Sequence, residues 1–273
     1  MLHDGGGWQL VGWAGGTRGN AFGINESNQV VGNMRLPTND FSRALIRTPG
    51  GGTIELPTLF PDDPGTSTPG HNGFEGGSYA TGINPAGAVV GSSGLTDTHG
   101  TDRGFIETPG GGMVDLGTPA SQGLVGLGDF TVSYAQNLNN AGLILGAADR
   151  GLGLTRAVYW DATGQIHDLG TLGGTSGSAY AINEDGVAVT ISDDAIGQSR
   201  ALERDGRALV DLNTVINPAS GWSLSRAYAI NESGWIVGEG TLNGVTRAVL
   251  LTPIPEPAAL LLMALAGFLV RRR

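Results

Sequence analysis

Residues 230–238 read Ile-Asn-Glu-Ser-Gly-Trp-Ile-Val-Gly, and this phrase decides the fold because the chain repeats its pattern five times. In each copy an apolar residue precedes Asn, a Gly or Asn stands three residues after it, and hydrophobic residues follow. The five markers are Asn25, Asn84, Asn139, Asn183 and Asn231. An Asn side chain accepts a hydrogen bond from the backbone two residues on, and Gly takes a positive φ at little cost. Each copy therefore predicts a tight turn between two β-strands.

A second pattern follows each turn. An arginine at the start of a third strand is followed 11 or 12 residues later by an acid in a fourth strand, with a turn sequence between them. The pairs are Arg43/Glu55, Arg103/Asp115, Arg156/Asp168 and Arg200/Asp211. Opposite charges across two antiparallel strands stabilise the pairing of those strands. We expect cross-strand ion pairs that serve each unit, with Arg200 directly opposite Asp211, rather than a ring of ligand-binding arginines.

Each repeat unit thus contains four short strands, here called a, b, c and d. The markers are 44 to 59 residues apart, a length typical of a β-propeller blade. We predict an all-β fold, a five-bladed β-propeller of four-stranded repeats over residues 1–253. The fifth unit lacks strand d, and we expect residues 8–12 at the other end of the chain to supply it. An open stack or a sandwich of the same hairpins is the alternative.

Composition limits the classes of function. Of 273 residues, 48 are Gly and only 15% are charged, which suits short strands and turns rather than helices or disorder. The net charge is −10 and every basic residue is an arginine, which argues against nucleic acid as a partner. The chain has no Cys, so disulfides, thiolate catalysis and Cys-based metal sites are excluded.

Residues 254–273 differ from the rest of the chain. They contain Pro-Glu-Pro, then an uncharged apolar run over residues 258–270, then three arginines. The run predicts a C-terminal hydrophobic helix that is shorter than the roughly 20 residues of a full span but able to enter a thinned bilayer. Arginines beside such a helix stay on the cytoplasmic side.

The order of these three features resembles the PEP-CTERM sorting signal of Gram-negative bacteria. The resemblance implies export and recognition by an exosortase-type membrane protease at Pro255, Glu256 and Pro257, with Arg271, Arg272 and Arg273 as the cytoplasmic end. It also implies removal of the tail and an association with exopolysaccharide at the cell surface. Residues 1–4 do not begin a signal peptide, so we expect the natural start to lie upstream. Residues lost there would weaken the case for ring closure by residues 8–12.

The body resembles extracellular HAF-repeat proteins. Residues 156–183 carry the likeness best, through Arg-Ala-Val-Tyr-Trp, Asp-Leu-Gly-Thr-Leu-Gly-Gly and Ala-Tyr-Ala-Ile-Asn. Arginine stands where that repeat often has histidine. The resemblance implies an exported repeat protein and supplies no catalytic residues.

Candidate chemistry is sparse. The four histidines do not have metal-ligand spacing, and no motif predicts a metal or a cofactor. The five strands predicted to line the centre contain no Asp or Glu, which argues against a glycoside hydrolase, since that reaction needs two converging carboxylates. Among the tryptophans, we expect Trp160 and Trp235 to pack inside and Trp222 to be available for stacking on a sugar.

Unequal loops give the main functional hint. The a–b and c–d turns are short, whereas the b–c and d–a connections are long and variable, and both long types emerge on one face. We expect a non-enzymatic, exported surface or matrix protein that binds a polysaccharide or a surface protein through this face. The alternative is an extracellular carbohydrate-active hydrolase that uses loop carboxylates such as Asp62 and Asp97.

Overall fold

The computed structural model describes residues 2–3, 8–9, 18–35, 42–59, 77–94, 102–122, 132–149, 154–204 and 209–254. These residues form antiparallel sheets and two 3-10 helices, Leu212–Thr214 and Pro218–Ser220. None of the helices in this part of the chain is long and apolar enough to cross a bilayer.

Five sheets follow one another along the described part of the chain, and their strands lie side by side in sequence order, a to d in sheets 1 to 4 and a to c in sheet 5. Sheet 1 contains β3 (Arg18–Ile24), β4 (Val30–Arg35), β5 (Ser42–Arg47) and β6 (Thr53–Glu55). Sheet 2 contains β7 (Ser78–Ile83), β8 (Val89–Gly94), β9 (Asp102–Thr108) and β10 (Gly112–Asp115). Sheet 3 contains β11 (Val132–Leu138), β12 (Ile144–Asp149), β13 (Thr155–Trp160) and β14 (Ile166–Asp168). Sheet 4 contains β15 (Gly173–Ile182), β16 (Ala188–Asp194), β17 (Ser199–Arg204) and β18 (Leu209–Asp211). Sheet 5 contains β19 (Trp222–Ile230), β20 (Ile236–Leu242) and β21 (Val245–Leu251).

The repeated Asn forms the predicted a–b turn. Asn25 Oδ1 accepts hydrogen bonds from the backbone N–H groups of Ser27 at 3.1 Å and Gln29 at 3.0 Å. The third residue after the marker closes the turn with a positive φ, which is 80° at Gly142 and 57° at Asn28. Asn is the residue that best replaces Gly in this conformation. The turn prediction is confirmed.

A second glycine in the phrase brings strands a and b together beside a β-bulge. Gly91 of β8 lies opposite Ala80, next to the register shift between Ala80 and Gly82. A Cβ on Gly91 would overlap the backbone carbonyl oxygen of Tyr79. Sheet 4 has Thr190 at the same place, opposite Ala179, so its first two strands accept a Cβ there.

The hydrophobic core lies between successive sheets. Strand a of each later sheet packs across strands a, b and c of the sheet before it. Between sheets 1 and 2, for example, Val31 and Ala44 pack with Ala80, Val89 and Phe105. Comparable clusters fill the interfaces between sheets 2 and 3, 3 and 4, and 4 and 5. A single hairpin pair cannot bury both faces, so each sheet depends on its neighbours.

Two ends of this array differ. The a–b and c–d turns lie at one end, here called the turn end. The b–c and d–a connections lie at the other, the loop end. Strand a of each sheet meets strand a of the next, which places these strands on the inside and the d strands on the outside.

The predicted fourth strand of sheet 5 is not formed by the described N-terminal residues. β2 (Trp8–Gln9) pairs with β1 (Leu2–His3), and sheet 5 has three strands in the described part of the chain. Pairing with β1 closes only a short loop, which costs less conformational entropy than closing almost the whole chain. The predicted C-terminal helix lies outside the described residues.

Candidate functional site at the loop end

One position of strand a repeats a polar or aromatic side chain near the loop end. It lies five residues before the marker Asn and is occupied by Asn20, Tyr79, Tyr134, Ser178 and Arg226. Because strand a is the inner strand, these side chains lie around the inside of the array. The position is the same in every repeat but the residue type varies, whereas the marker position at the turn end is always Asn.

Tyr134 is the centre of a cluster between sheets 2 and 3. Its hydroxyl hydrogen bonds with the carboxylate of Asp102, the first residue of β9. Asp149, the last residue of β12, contributes its negative charge to the same site. The b–c connections of both sheets adjoin these two acids. Sequence reasoning did not single out Asp102 or Tyr134, because nothing in their spacing indicates that the two residues meet.

The cluster changes how its members ionise. Burial raises the pKa of Tyr134 to about 12, and the charges of Asp102 and Asp149 add to this effect. Burial also raises the pKa of the Asp102 carboxyl, which the hydrogen bond from Tyr134 partly opposes. At neutral pH the Tyr134 hydroxyl is therefore a proton donor beside two carboxyl groups.

A second polar cluster occupies the corresponding place between sheets 4 and 5. Arg226 pairs with Glu239 across β19 and β20, with Nη1 and Oε1 3.0 Å apart. Tyr180 of sheet 4 and Tyr228 of sheet 5 meet edge to face, with ring centroids 5.7 Å apart. A hydrogen bond with Tyr228 and the charge of Glu239 raise the pKa of Arg226.

At the turn end, by contrast, the marker Asn side chains make the same hydrogen bond between successive sheets. The Nδ2 group of each of the first four markers donates to the backbone oxygen of the next marker, from Asn25 to Asn84 at 3.1 Å and from Asn139 to Asn183 at 3.1 Å. The same bond joins Asn84 to Asn139 and Asn183 to Asn231, at 3.3 Å each. This ladder holds successive sheets together. Sequence reasoning assigned the Asn side chain to its own turn and missed the bond between sheets.

Two predicted cross-strand pairs form ion pairs. Arg43 Nε lies 3.4 Å from Glu55 Oε1, and Arg156 Nη2 lies 2.6 Å from Asp168 Oδ2. Both are diagonal rather than directly opposed, since Leu45 faces Glu55 and Val158 faces Asp168.

The other two predicted cross-strand pairs do not form ion pairs. Arg200 binds Asp194 across β16 and β17 at 2.9 Å, so its predicted pairing with Asp211 is wrong. Leu202 faces Asp211, which instead caps the 3-10 helix by accepting from the Asn213 N–H. None of the ion pairs among the described residues joins Arg103 to Asp115, whose carboxylate accepts from the Gly117 N–H at 2.7 Å.

Tryptophans divide between the core and the surface. Trp160 is fully buried, and its Nε1–H donates to the Leu116 carbonyl at 2.9 Å, which confirms its packing role. Trp235 was expected in the core but is 47% exposed. It belongs to sheet 5, one face of which is not covered by any other sheet of the described residues.

Several predicted residues lie outside the described part of the chain. These are Asp62 and Asp97, the motif Pro255, Glu256 and Pro257, and the basic end Arg271, Arg272 and Arg273. Among the described residues, no group of three or more His, Asp or Glu side chains is arranged to hold a metal ion.

A cavity of about 160 Å³ lies between sheets 3 and 4 near the turn end. Its lining is mostly apolar, with Arg204 over the ring of Tyr159 at 5.5 Å. Tyr159 stacks on His167, whose Nε2 lies 2.8 Å from Asp161 Oδ2. Hydrogen bonds from Thr163 and His167 hold the pKa of Asp161 well below its usual range. This arrangement fixes the c–d turn of sheet 3.

Solved structures share this arrangement of sheets. A putative TolB from Agrobacterium tumefaciens is 13% identical with a TM-score of 0.53, over 86% of this chain and 76% of that chain. The described sheets have a β-propeller fold. A prolyl endopeptidase gives a TM-score of 0.53 at 11% identity, and this propeller spans 35% of that chain. TolB from Acinetobacter baumannii gives a TM-score of 0.46 at 11% identity, over 85% of this chain and 54% of that chain. These identities establish the fold alone. No protein-family model and no curated protein matches the chain.

Proposed function

We propose that this protein is an exported, non-enzymatic propeller whose loop end binds an extracellular polysaccharide. The observation that carries the proposal is the cluster of Tyr134, Asp102 and Asp149 at the loop end. Carboxylates accept hydrogen bonds from sugar hydroxyls, the tyrosine hydroxyl donates or accepts, and an aromatic ring offers an apolar surface to a sugar.

The contrast between the two ends supports this choice. At the turn end the marker side chains are used in the bonds that hold the sheets together. At the loop end the repeated position varies between amide, phenol, hydroxyl and guanidinium groups, and long connections adjoin it. Variable side chains on a rigid repeated scaffold are typical of binding surfaces.

The C-terminal sequence supports the exported location. Pro255, Glu256 and Pro257 would be read by an exosortase-type enzyme, after residues 258–270 hold the chain at the inner membrane as a hydrophobic helix. The arginines from Arg271 to Arg273 would remain cytoplasmic. The mature propeller would then be released to the surface of a Gram-negative cell, where polysaccharide is the partner class that the sorting signal suggests.

Binding of glycans by the purified full chain tests the proposal. We expect the wild type to bind neutral polysaccharides on a glycan array, and Tyr134→Phe and Asp149→Asn to weaken that binding about tenfold, the effect of one lost hydrogen bond of about 1.4 kcal/mol. Tyr159→Phe at the turn end is the matched control and should bind as the wild type does. Equal affinity of all four proteins, or capture of a surface protein with no glycan bound, would overturn the polysaccharide assignment.

A carbohydrate-active hydrolase is the second candidate. The observation that favours it is the raised pKa of Asp102 together with a second carboxyl, Asp149, whose charge acts on the same tyrosine, since glycoside hydrolysis uses two carboxyl groups in different environments. Release of reducing ends from a bound polysaccharide, lost in Asp102→Asn, would establish this activity in place of simple binding.

A further inference from the structure

Two internal interfaces of the propeller use the same positions but different side chains. Trp160 is the last residue of β13 and lies opposite Ile144, the first residue of β12. Both side chains are buried in the core between sheets 2 and 3. In sheet 4 the same two positions are Arg204 and Ala188, which also lie opposite each other. The interface between sheets 3 and 4 thus has an arginine in place of the tryptophan and an alanine in place of the isoleucine.

The cavity of about 160 Å³ between sheets 3 and 4 lies where these side chains differ. Leu145 and Tyr159 of sheet 3 hold the places of Val90 and Ile106 in sheet 2, which pack in the cluster that contains Trp160. The residues around the cavity include three from each sheet, namely Leu145, Tyr159, Leu169, Ile182, Ala188 and Arg204. The cavity therefore occupies the place that the tryptophan and the isoleucine fill at the preceding interface.

Arg204 brings a positive charge to the wall of this cavity. Its guanidinium group lies over the ring of Tyr159, 5.5 Å from the ring centroid. Its Nη1 atom is buried and has no hydrogen-bond partner among the described residues. A buried N–H group without an acceptor costs free energy, and an acceptor bound beside it removes that cost. The wall at Arg204 therefore favours an anionic group.

The volume and the lining specify the rest of a ligand. A cavity of about 150 Å³ with an aliphatic lining stays dry and holds one benzene molecule. Leu145, Leu169 and Ile182 provide such a lining here. A guanidinium group matches a carboxylate with two parallel hydrogen bonds. These properties together select a compact apolar group that carries one carboxylate.

We propose that this cavity binds a small monocarboxylate with one aromatic ring or an aliphatic chain of similar size, the class of benzoate and hexanoate. The apolar group takes the place that Trp160 fills at the preceding interface, and the carboxylate accepts hydrogen bonds from Arg204. The site lies near the turn end and is separate from the Tyr134 cluster at the loop end. Its ligand is therefore different from the polysaccharide and does not depend on it.

Calorimetric titration of the purified full chain tests this site, with benzoate and hexanoate as probes and benzyl alcohol as the neutral counterpart of benzoate. We expect the wild type to bind at least one of the two acids saturably and benzyl alcohol more weakly. Arg204→Met keeps the length of the side chain but removes its charge. Binding of the acid should therefore weaken about tenfold or more, while binding of benzyl alcohol stays as in the wild type.

Arg47→Met is the matched control, because Arg47 is the last residue of strand c in sheet 1, opposite Val30, and does not line the cavity. This variant should bind the acid as the wild type does. Ala188→Ile introduces the residue that sheet 3 carries at the same place. It should fill the cavity and abolish binding without lowering the melting temperature, since the added methyl groups enter empty space.

Three results would overturn this site. The first is that the folded wild type binds neither acid saturably at millimolar concentrations. The second is equal affinity of wild type and Arg204→Met for the acid, which excludes recognition of its carboxylate by Arg204. The third is that the methyl NMR signals of Leu145 and Leu169 do not shift when the wild type binds the acid, or that Ala188→Ile still binds it, since either result places the ligand elsewhere.

Discussion

At the scale of single residues, the side-chain amide of each marker Asn before the last one makes two kinds of hydrogen bond. Its Oδ1 accepts backbone N–H groups of its own turn, and its Nδ2 donates to the neighbouring sheet. Asn139 is buried and makes both kinds of bond, to the Leu143 N–H at 3.0 Å and to the Asn183 carbonyl at 3.1 Å. Asn231 makes the turn bonds, to the N–H groups of Ser233 and Trp235, but is exposed.

The comparison of Asn139 with Asn231 separates the contribution of the bond between sheets from that of the bonds within the turn. Asn139→Ala should lower the free energy of unfolding by about 2 kcal/mol more than Asn231→Ala, because it removes a buried hydrogen bond between sheets and leaves the Asn183 carbonyl short of a donor. Urea unfolding of the two variants and the wild type measures both values. Equal losses would mean that the turn bonds alone matter and that the ladder adds nothing.

At the scale of the strand, the second glycine of the repeated phrase sets the distance between strands a and b. The strand a carbonyl beside the bulge occupies the space that a side chain on strand b would need. Gly32, Gly91, Gly146 and Gly238 share this close approach. The glycine that follows the hydrophobic residues of the repeated phrase is thus required by the close spacing of strands a and b and not by the conformation of a turn.

Gly91→Ala tests this account. The new Cβ would overlap the Tyr79 carbonyl and crowd the Phe105 ring, so β7 and β8 must separate, and we expect a loss of about 2 kcal/mol or more. Gly50→Ala in the c–d turn is the matched control, since a Cβ there meets no atom within 4 Å. Calorimetric melting of both proteins gives the comparison. An unchanged melting temperature for Gly91→Ala would contradict this account. It would show that strands a and b of sheet 2 can accept a Cβ at this position, as those of sheet 4 do at Thr190.

At the scale of the whole molecule, sheets 2, 3 and 4 each pack on two neighbouring sheets in the described part of the chain, whereas sheets 1 and 5 each pack on one. Sheets 1 and 5 therefore leave apolar side chains exposed, including Phe22 and Ile24 on sheet 1 and Val237 and Leu250 on sheet 5.

The tail belongs to the same scale because it determines where the propeller is found. We expect the mature protein from a Gram-negative host with an exosortase-type enzyme to lack Arg271, Arg272 and Arg273, as measured by mass spectrometry of its C-terminus. Replacing Pro255, Glu256 and Pro257 together by alanine should keep the arginines on the protein and hold it in the membrane fraction. An intact C-terminus on wild-type protein would contradict sorting by cleavage.

The sequence by itself determined the turns, the four-strand unit and the number of units, because Asn and Gly at fixed spacing act through bonds within a few residues. It also placed Arg43 with Glu55 and Arg156 with Asp168. Only the tertiary structure decided the contacts between units: the Asn ladder, the pairing of Arg200 with Asp194, the exposure of Trp235, and the meeting of Tyr134 with Asp102. Those contacts join residues from different units, and their geometry depends on how each sheet packs on the next, which no local spacing records.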